Sequence, residues 1–370
     1  MHKDKRDFAA AAGVDIPLIQ APMAGANDSK MVIAVSSAGA LGSLPCAMLT
    51  AEQVSTEIEH IQSATDKPFN LNFFCHRTSD EDPAAQQRWH AALEHYYKEE
   101  GIDAGSIASA PARKPFDDEM CSIVESTRPA VVSFHFGLPP KPLVERVKAA
   151  GCKVISSATT AEEAQWLERN GCDAVIAQGV EAGGHRGIFL TDDPATDASR
   201  QPGLLTLLLQ IIDTVNIPVI AAGGIGDGRG VAAARLLGAS MVQMGTIFLF
   251  SRESMVSQLH AQALRESRAA DTALTNVFSG RPARGIVNRV MRELGPISPA
   301  AAPFPTAGGA LAPLKKIAEA DGRADYSSLW AGQGVAEAWQ FVRKLSEDNP
   351  SAEYLTQAIH DQYLEFASLT

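Results

Sequence analysis

No uncharged apolar run in this chain of 370 residues approaches the roughly 20 residues that a membrane-crossing helix requires. Residues 1–15 mix charges with alanine and lack an apolar stretch, so no secretory leader is expected. Basic residues are in the minority, 32 Lys and Arg against 43 Asp and Glu, for a net charge of −11. That balance argues against nucleic acid and anionic membranes as partners, because both attract basic surfaces. An anionic ligand would have to find local positive potential in backbone N–H groups, helix N-termini or a few arginines. The five cysteines, Cys46, Cys75, Cys121, Cys152 and Cys172, include no C-x-x-C pair. They suit small buried hydrophobes in a reducing compartment; Cys75, ending an expected strand, is the one open to a catalytic reading. The expectation is a cytoplasmic protein without nucleic-acid or membrane partners.

A dinucleotide fingerprint is missing too. Gly224-Ile-Gly226 and Gly226-Asp-Gly228 begin the G-x-G-x-x-G pattern, but Arg229 and Val231 occupy the third glycine position.

What the chain does have is repetition. A helical segment, a glycine with a small residue, and an apolar run recur at Gly39, Gly151, Gly171 and Gly238. A glycine just past a helix takes left-handed backbone without steric cost. Eight apolar runs read as strands: 16–23, 41–46, 69–74, 130–136, 153–158, 174–178, 218–222 and 241–248. Most are continuously apolar, as parallel strands covered on both faces are. Amphipathic segments such as 161–169 and 228–237 lie between them. The pattern predicts an α/β fold, a closed (β/α)8 TIM barrel rather than an open doubly wound sheet. A composition of 45% hydrophobic and 20% charged residues suits a globular protein with a substantial core. Two long excursions break the repeat, and such excursions are usually lids or binding elements. The expected organisation is a barrel of residues 1–78 and 129–250 and a smaller, mostly helical lid or substrate domain of 79–128 and 251–335. Helices in 336–370 would pack on the barrel.

The stretch Gln178-Gly-Val-Glu-Ala-Gly-Gly-His-Arg-Gly187 follows the sixth run. It falls at the strand ends, where barrel enzymes build their sites. Its glycines suggest a flexible loop that lets backbone approach a flat ligand. His185 has the side chain whose unperturbed pKa lies near neutrality, and it is the catalytic candidate. Glu181 either orients the loop or is solvated, and Arg186 either adds positive potential or is an ordinary exposed arginine. Gly223 and Gly224 after the seventh run, with Gln243, Met244, Gly245 and Thr246 in the eighth, mark where such barrels commonly bind phosphate. The helix starting near Asp227 would aim its positive end at that anion. Ala21, Pro22 and Met23 end the first run, where they also suit plain strand closure. Asn70 can read the edge of a heterocycle or cap a turn, and Gln178 is similar.

Taken together these pieces resemble the nitronate monooxygenase family, formerly called 2-nitropropane dioxygenases. The match runs from Pro17 to about Gly334. It includes Ala21-Pro-Met23, Phe69-Asn-Leu-Asn72, Gln178 to Gly187, Ala222-Gly-Gly224 and Gln243-Met-Gly-Thr246. It continues through Thr275 to Gly285 and through Ser328-Leu-Trp-Ala-Gly-Gln333, which look like the bacterial class I branch. The resemblance implies FMN, bound without a covalent link and lined by Ala21, Pro22, Met23, Asn70, Gln178, Gly183, Gly223, Gln243, Met244, Gly245 and Thr246. Gly184 and Gly224 would lie beside it. It further implies oxidation of an alkyl nitronate by O2 to a carbonyl compound and nitrite, with no metal. Propionate 3-nitronate is the substrate the branch suggests. His185 would hydrogen-bond the nitro oxygens, or act as base at the α-carbon of a neutral nitroalkane. The implied partners are a small nitronate and O2, in a monomer or homodimer.

One departure concerns Phe304-Pro305, where the family pattern carries tyrosine before proline; no tyrosine lies between Tyr97 and Tyr326. The rival readings are an FMN-dependent enoyl-acyl-carrier-protein reductase, which shares the Gly-Gly-His loop, and a non-catalytic flavin-binding barrel. A barrel of the IMP dehydrogenase kind would place a cysteine in residues 182–187, and none is there.

Overall fold

A computed structural model describes residues 7–77, 82–103 and 114–369, so the parts of the first excursion at 78–81 and 104–113 lie outside the described residues. Eight strands form one parallel sheet: β1 (Leu18–Gln20), β2 (Gly42–Pro45), β3 (Phe69–Phe74), β4 (Val131–His135), β5 (Lys153–Ala158), β6 (Ala174–Gln178), β8 (Val219–Ala222) and β9 (Met241–Met244). Their order is β1-β9-β8-β6-β5-β4-β3-β2. The ring closes where Ile19 bridges Leu41, with Gln20 N donating to Leu41 O and Leu41 N to Leu18 O, both at 3.0 Å. The result is the expected (β/α)8 barrel. A three-stranded antiparallel sheet, in the order β10-β11-β7, joins β7 (Gly184–His185), β10 (Thr272–Thr275) and β11 (Ala283–Ile286).

The barrel follows from alternation along each strand. Ile19, Leu41, Val131, Ile155, Ile176, Ile220 and Met241 face inward as one apolar cluster, stoppered by Phe8, Ala9 and Ala12 of the first helix. Phe8 N donates to Ser240 Oγ at 2.7 Å. Leu71, Val132, Val154, Val175, Ala221 and Val242 face outward into the main core beneath the helices. Gly39, Gly151, Gly171 and Gly238 all adopt left-handed φ, between 93° and 105°, and turn each helix into its next strand. After β9 the chain departs, and the last helix, Ala352–Ala367, returns to pack between helices Gly228–Leu236 and Ser29–Ser37. It completes the outer ring.

The eighth apolar run is shorter as a strand than 241–248. β9 stops at Met244, and Thr246–Phe250 winds into a 3-10 helix that buries Ile247, Phe248, Leu249 and Phe250. Burial satisfies either geometry, so an apolar run alone did not distinguish them.

A further apolar cluster stands apart from the barrel. Trp89, Leu93, Tyr96 and Tyr97 of helix Pro83–Glu99 pack against Ala310, Leu311 and Leu314 of helix Ala307–Ala320, with Val277, Val290 and Tyr326. Trp89 Nε1 donates to Ala307 O at 2.9 Å and Tyr97 Oη to Ala310 O at 2.8 Å. Helix Asp118–Thr127 instead contributes Cys121 and Val124 to the main core.

Candidate active site

The inward positions one step above the apolar layer are polar. Ser43, Asn70, Asn72 and Ser133 are buried there, and His135, Ser157, Gln178 and Gln243 lie towards the C-terminal ends of β4, β5, β6 and β9. Asn70 Nδ2 donates to Ser43 Oγ (3.0 Å) and Ser133 Oγ (2.9 Å), and Asn72 Nδ2 to Ser133 Oγ (2.9 Å). Asn70 Oδ1 and Gln243 Oε1 are buried without a hydrogen-bond partner among the described residues. A buried, unsatisfied acceptor is costly and calls for a donor from elsewhere.

His185 lies on this rim, but its loop is not loose. Gly184 and His185 form β7, which pairs with Arg284 and Ala283 of β11. The His185 carbonyl accepts from His135 Nε2 at 3.1 Å and from Gln178 Nε2 at 3.0 Å. Because His135 donates through Nε2, its neutral ring accepts the Ser157 hydroxyl at Nδ1, 2.6 Å away. Burial pushes His135 down to about 4, and the neighbouring Arg186 and Arg281 act in the same direction. The His185 ring itself sits 2.9 Å from Ser279 Oγ through Nε2. Ser279 Oγ in turn accepts from Arg281 N (3.3 Å) and donates to Arg281 O (3.2 Å). Around the imidazole stand Phe74, Phe136, Phe304 and Trp330, with ring centroids 5.7–6.1 Å from it.

Arg186 is neither exposed nor aimed at a ligand. It is 1% exposed and clamps the loop through Nη1 to Gly179 O, Nη2 to Gln178 O and Nε to Gln201 Oε1, each at 2.6 Å. Burial, with Arg284 alongside, pushes its pKa down to about 9. Glu181 is not solvated either: both carboxylate oxygens accept from Leu204 N at 2.9 Å, capping helix Leu204–Thr214. The helix after β8 also departs from expectation. Asp227 caps it through Arg229 N and Gly230 N, and Gln362 Oε1 takes Gly228 N at 2.7 Å, so its N-terminus is occupied from within. Any phosphate would rely on the turns themselves.

Those turns do converge. Gln178 pairs with Ala222, Ala222 with Gln243, and Gln20 with Met244, which sets the ends of β6, β8, β9 and β1 side by side. Gly223 and Gly224 hold φ of 117° and 70°, and a side chain at Gly223 would press on Ala182 N at 3.0 Å. A side chain at Gly245 would meet Ala21 Cβ at 3.3 Å and Met23 Sδ at 3.5 Å. Pro22 lies between those two on the same half-buried strand exit. Thr246 Oγ1 accepts from Gly332 N at 2.9 Å, and Gly183 abuts Gly332. Met244 buries its side chain in the main core and offers the mouth only main chain, its carbonyl accepting from Ala21 N at 2.7 Å. Gln178 commits both ends of its amide to the loop, Oε1 accepting from Gly187 N at 2.8 Å. Sequence reasoning missed His135 and Ser279. His135 had a usable signal, a histidine at an inward strand end, whereas Ser279 had none.

A parallel eight-stranded barrel carrying an imidazole, buried amides and glycine turns at its strand C-termini has the architecture of barrel enzymes, which build their sites at that mouth. The chain matches the family described as nitronate monooxygenase over residues 6–345, and it belongs to that family of oxidoreductases. A nitronate monooxygenase from Pseudomonas aeruginosa is 40% identical over 362 residues, covering 96% of this chain and 98% of that protein. A nitroalkane oxidase from Streptomyces ansochromogenes superposes with a TM-score of 0.86 at 35% identity, covering 98% and 99% of the two chains. FabK from Thermotoga maritima is more distant, with a TM-score of 0.69 at 25% identity and coverage of 98% and 97%. The family is flavin-dependent in general. The site fits such a group: Asn70 Oδ1 and Gln243 Oε1 are buried acceptors that a heterocycle's N–H edge would satisfy. Among the described residues no cluster of His, Cys, Asp and Glu has the geometry to hold a metal ion, and no helix is long and apolar enough to cross a membrane.

Proposed function

We propose that this chain oxidises alkyl nitronates with O2 to a carbonyl compound and nitrite, using FMN bound across the barrel mouth, with propionate 3-nitronate as substrate. The observation that carries the reading is the placement of His185: its ring is oriented by Ser279 on one side, while two buried, unpaired amide oxygens wait across the rim. FMN, when bound, supplies the electron chemistry. Asn70 and Gln243 would hold its heterocycle edge. Gly223, Gly224, Gly245 and Thr246 would hold its phosphate, and Ala21, Pro22, Met23, Gly183 and Gly184 would border it. Gln178 and the carbonyl of Met244 would act indirectly, by fixing the loop and the first strand exit. His185 would hydrogen-bond the nitro oxygens of a nitronate, and with a neutral nitroalkane would take the α-carbon proton. Phe74, Phe136, Phe304 and Trp330 would keep water from the reacting carbon.

The test is direct. Purified protein is expected to be yellow, to release FMN on denaturation, and to form nitrite from nitronates in air without a nicotinamide cofactor. His185→Asn is expected to retain the flavin and to lose turnover on neutral nitroalkanes by about a hundredfold, the scale of a lost general base. Rapid NADH oxidation with an enoyl thioester and no nitrite from nitronates would replace this reading with the reductase.

A further inference from the structure

In a chain of net charge −11, three arginines crowd the His185 loop: Arg186, Arg281 and Arg284. None of them forms an ion pair among the described residues. Arg186 and Arg284 are accounted for by protein oxygens, Arg284 through Nε to Val180 O at 2.9 Å and Nη1 to Thr272 Oγ1 at 3.2 Å. Arg281 is different. It is half-buried and gives one long hydrogen bond, Nη1 to Ile188 O at 3.3 Å. Its guanidinium lies over the Phe136 ring at 4.5 Å and beside Phe304 at 5.8 Å. His185 stands against the same two rings, at 6.0 and 5.8 Å. Ser279 holds the imidazole and the Arg281 main chain together.

We propose that Arg281 binds a carboxylate of the substrate and thereby gives the enzyme its preference for short nitronates that carry a second negative charge. This rests on the reading of the site given above. A guanidinium presents a planar fork of five donors that matches a carboxylate bidentately, and stacking on Phe136 fixes the plane of that fork. A desolvated cation that forms no ion pair and feels only the Glu163 carboxylate at longer range is costly, and an incoming carboxylate offsets that cost. Two charge-binding groups on two shared rings accept a ligand whose anionic ends are only a few bonds apart. The acidic surface offers no general attraction to such a dianion, so its selection falls to this side chain.

The experiment uses the holoenzyme with propionate 3-nitronate and with propyl-1-nitronate, which lacks the carboxylate. The wild type is expected to prefer the former. Arg281→Met is expected to cut that preference, as the ratio of the two kcat/KM values, by about tenfold to a hundredfold, the range of a charge-assisted hydrogen-bonded pair. Arg281→Lys, which keeps charge without the fork, is expected to restore part of it. Succinate and butyrate binding, measured by calorimetry, gives a readout independent of turnover, with succinate the tighter and its advantage lost in Arg281→Met. An unchanged preference ratio, or succinate binding no tighter than butyrate, overturns the proposal. Arg281-dependent succinate binding in a protein that oxidises neither nitronate would keep the anion site and remove the nitronate reading.

Discussion

At the scale of the residue, His185 owes its position to groups far away in sequence. Its carbonyl is pinned by His135 and Gln178, and its ring is turned by Ser279, 94 positions later in the chain. Ser279→Ala is therefore expected to leave the flavin content unchanged while lowering turnover on neutral nitroalkanes by about tenfold, the weight of one orienting hydrogen bond. Flavin absorbance and initial rates measured on one preparation check both halves, and equal rates in variant and wild type would sink the orienting role. His135 and His260 make a second case. Burial holds both at about 4, and His260 donates to Trp330 O at 3.1 Å behind the aromatic wall. Unfolded histidine titrates near 6.5, so between pH 6.5 and 4 the unfolded chain takes up protons that the folded one refuses. Stability conferred by these neutral rings is complete above that window and is lost as pH falls through it, on the order of 2 kcal/mol for each ring. Urea midpoints are expected to drop from pH 7 to pH 5, with a shallower drop in His260→Gln. A flat profile in the wild type would contradict this.

At the scale of the element, the decisive contact is β7 with β11. A glycine-rich segment becomes an ordered strand because the hairpin of β10 and β11 offers it an antiparallel edge. The fit beside it is close. A side chain on Gly183 would meet Gly332 N at 2.6 Å and Ala331 Cα at 3.1 Å. Gly183→Ala is expected to destabilise by about 1–3 kcal/mol, the usual range for overpacking. It should also weaken flavin retention, since the segment 331–334 crosses the β8 and β9 turns. Thermal melts and flavin content after dialysis report on these separately. Elements were largely legible in the sequence: helices Ala161–Arg169 and Gly228–Leu236 and strands β3, β5 and β6 follow directly from period and glycine placement. The 3-10 helix after Met244 and the strand β7 were not, because both arise from packing against distant segments.

At the scale of the whole molecule, the barrel holds an interior cluster and a main core around it, and a separate aromatic core lies around Trp89, Tyr96, Tyr97 and Tyr326. This aromatic core supports the segments that carry Ser279, Arg281, Phe304 and Trp330 to the barrel mouth. Trp89 is fully buried and hydrogen-bonded to Ala307 O, so Trp89→Ala is expected to cost about 3–5 kcal/mol. The loss should appear as an early thermal transition in which turnover fails while barrel circular dichroism persists. A single transition shifted as a block would mean that the two cores melt together.

Apolar runs and helix-ending glycines were enough to determine a barrel, and the position of the Gly-Gly-His segment placed the candidate site on one of its faces. Each of those features is local, being set by strand period, backbone sterics and the direction of the chain. The partners of the charged and polar groups were decided only in three dimensions. Arg186 went to carbonyls, Asp227 and Gln362 took the helix N-terminus, Glu181 capped a neighbouring helix, and Ser279 met the imidazole. A polar side chain deprived of water takes whichever partner the fold brings within about 3 Å, and sequence spacing carries no record of that distance.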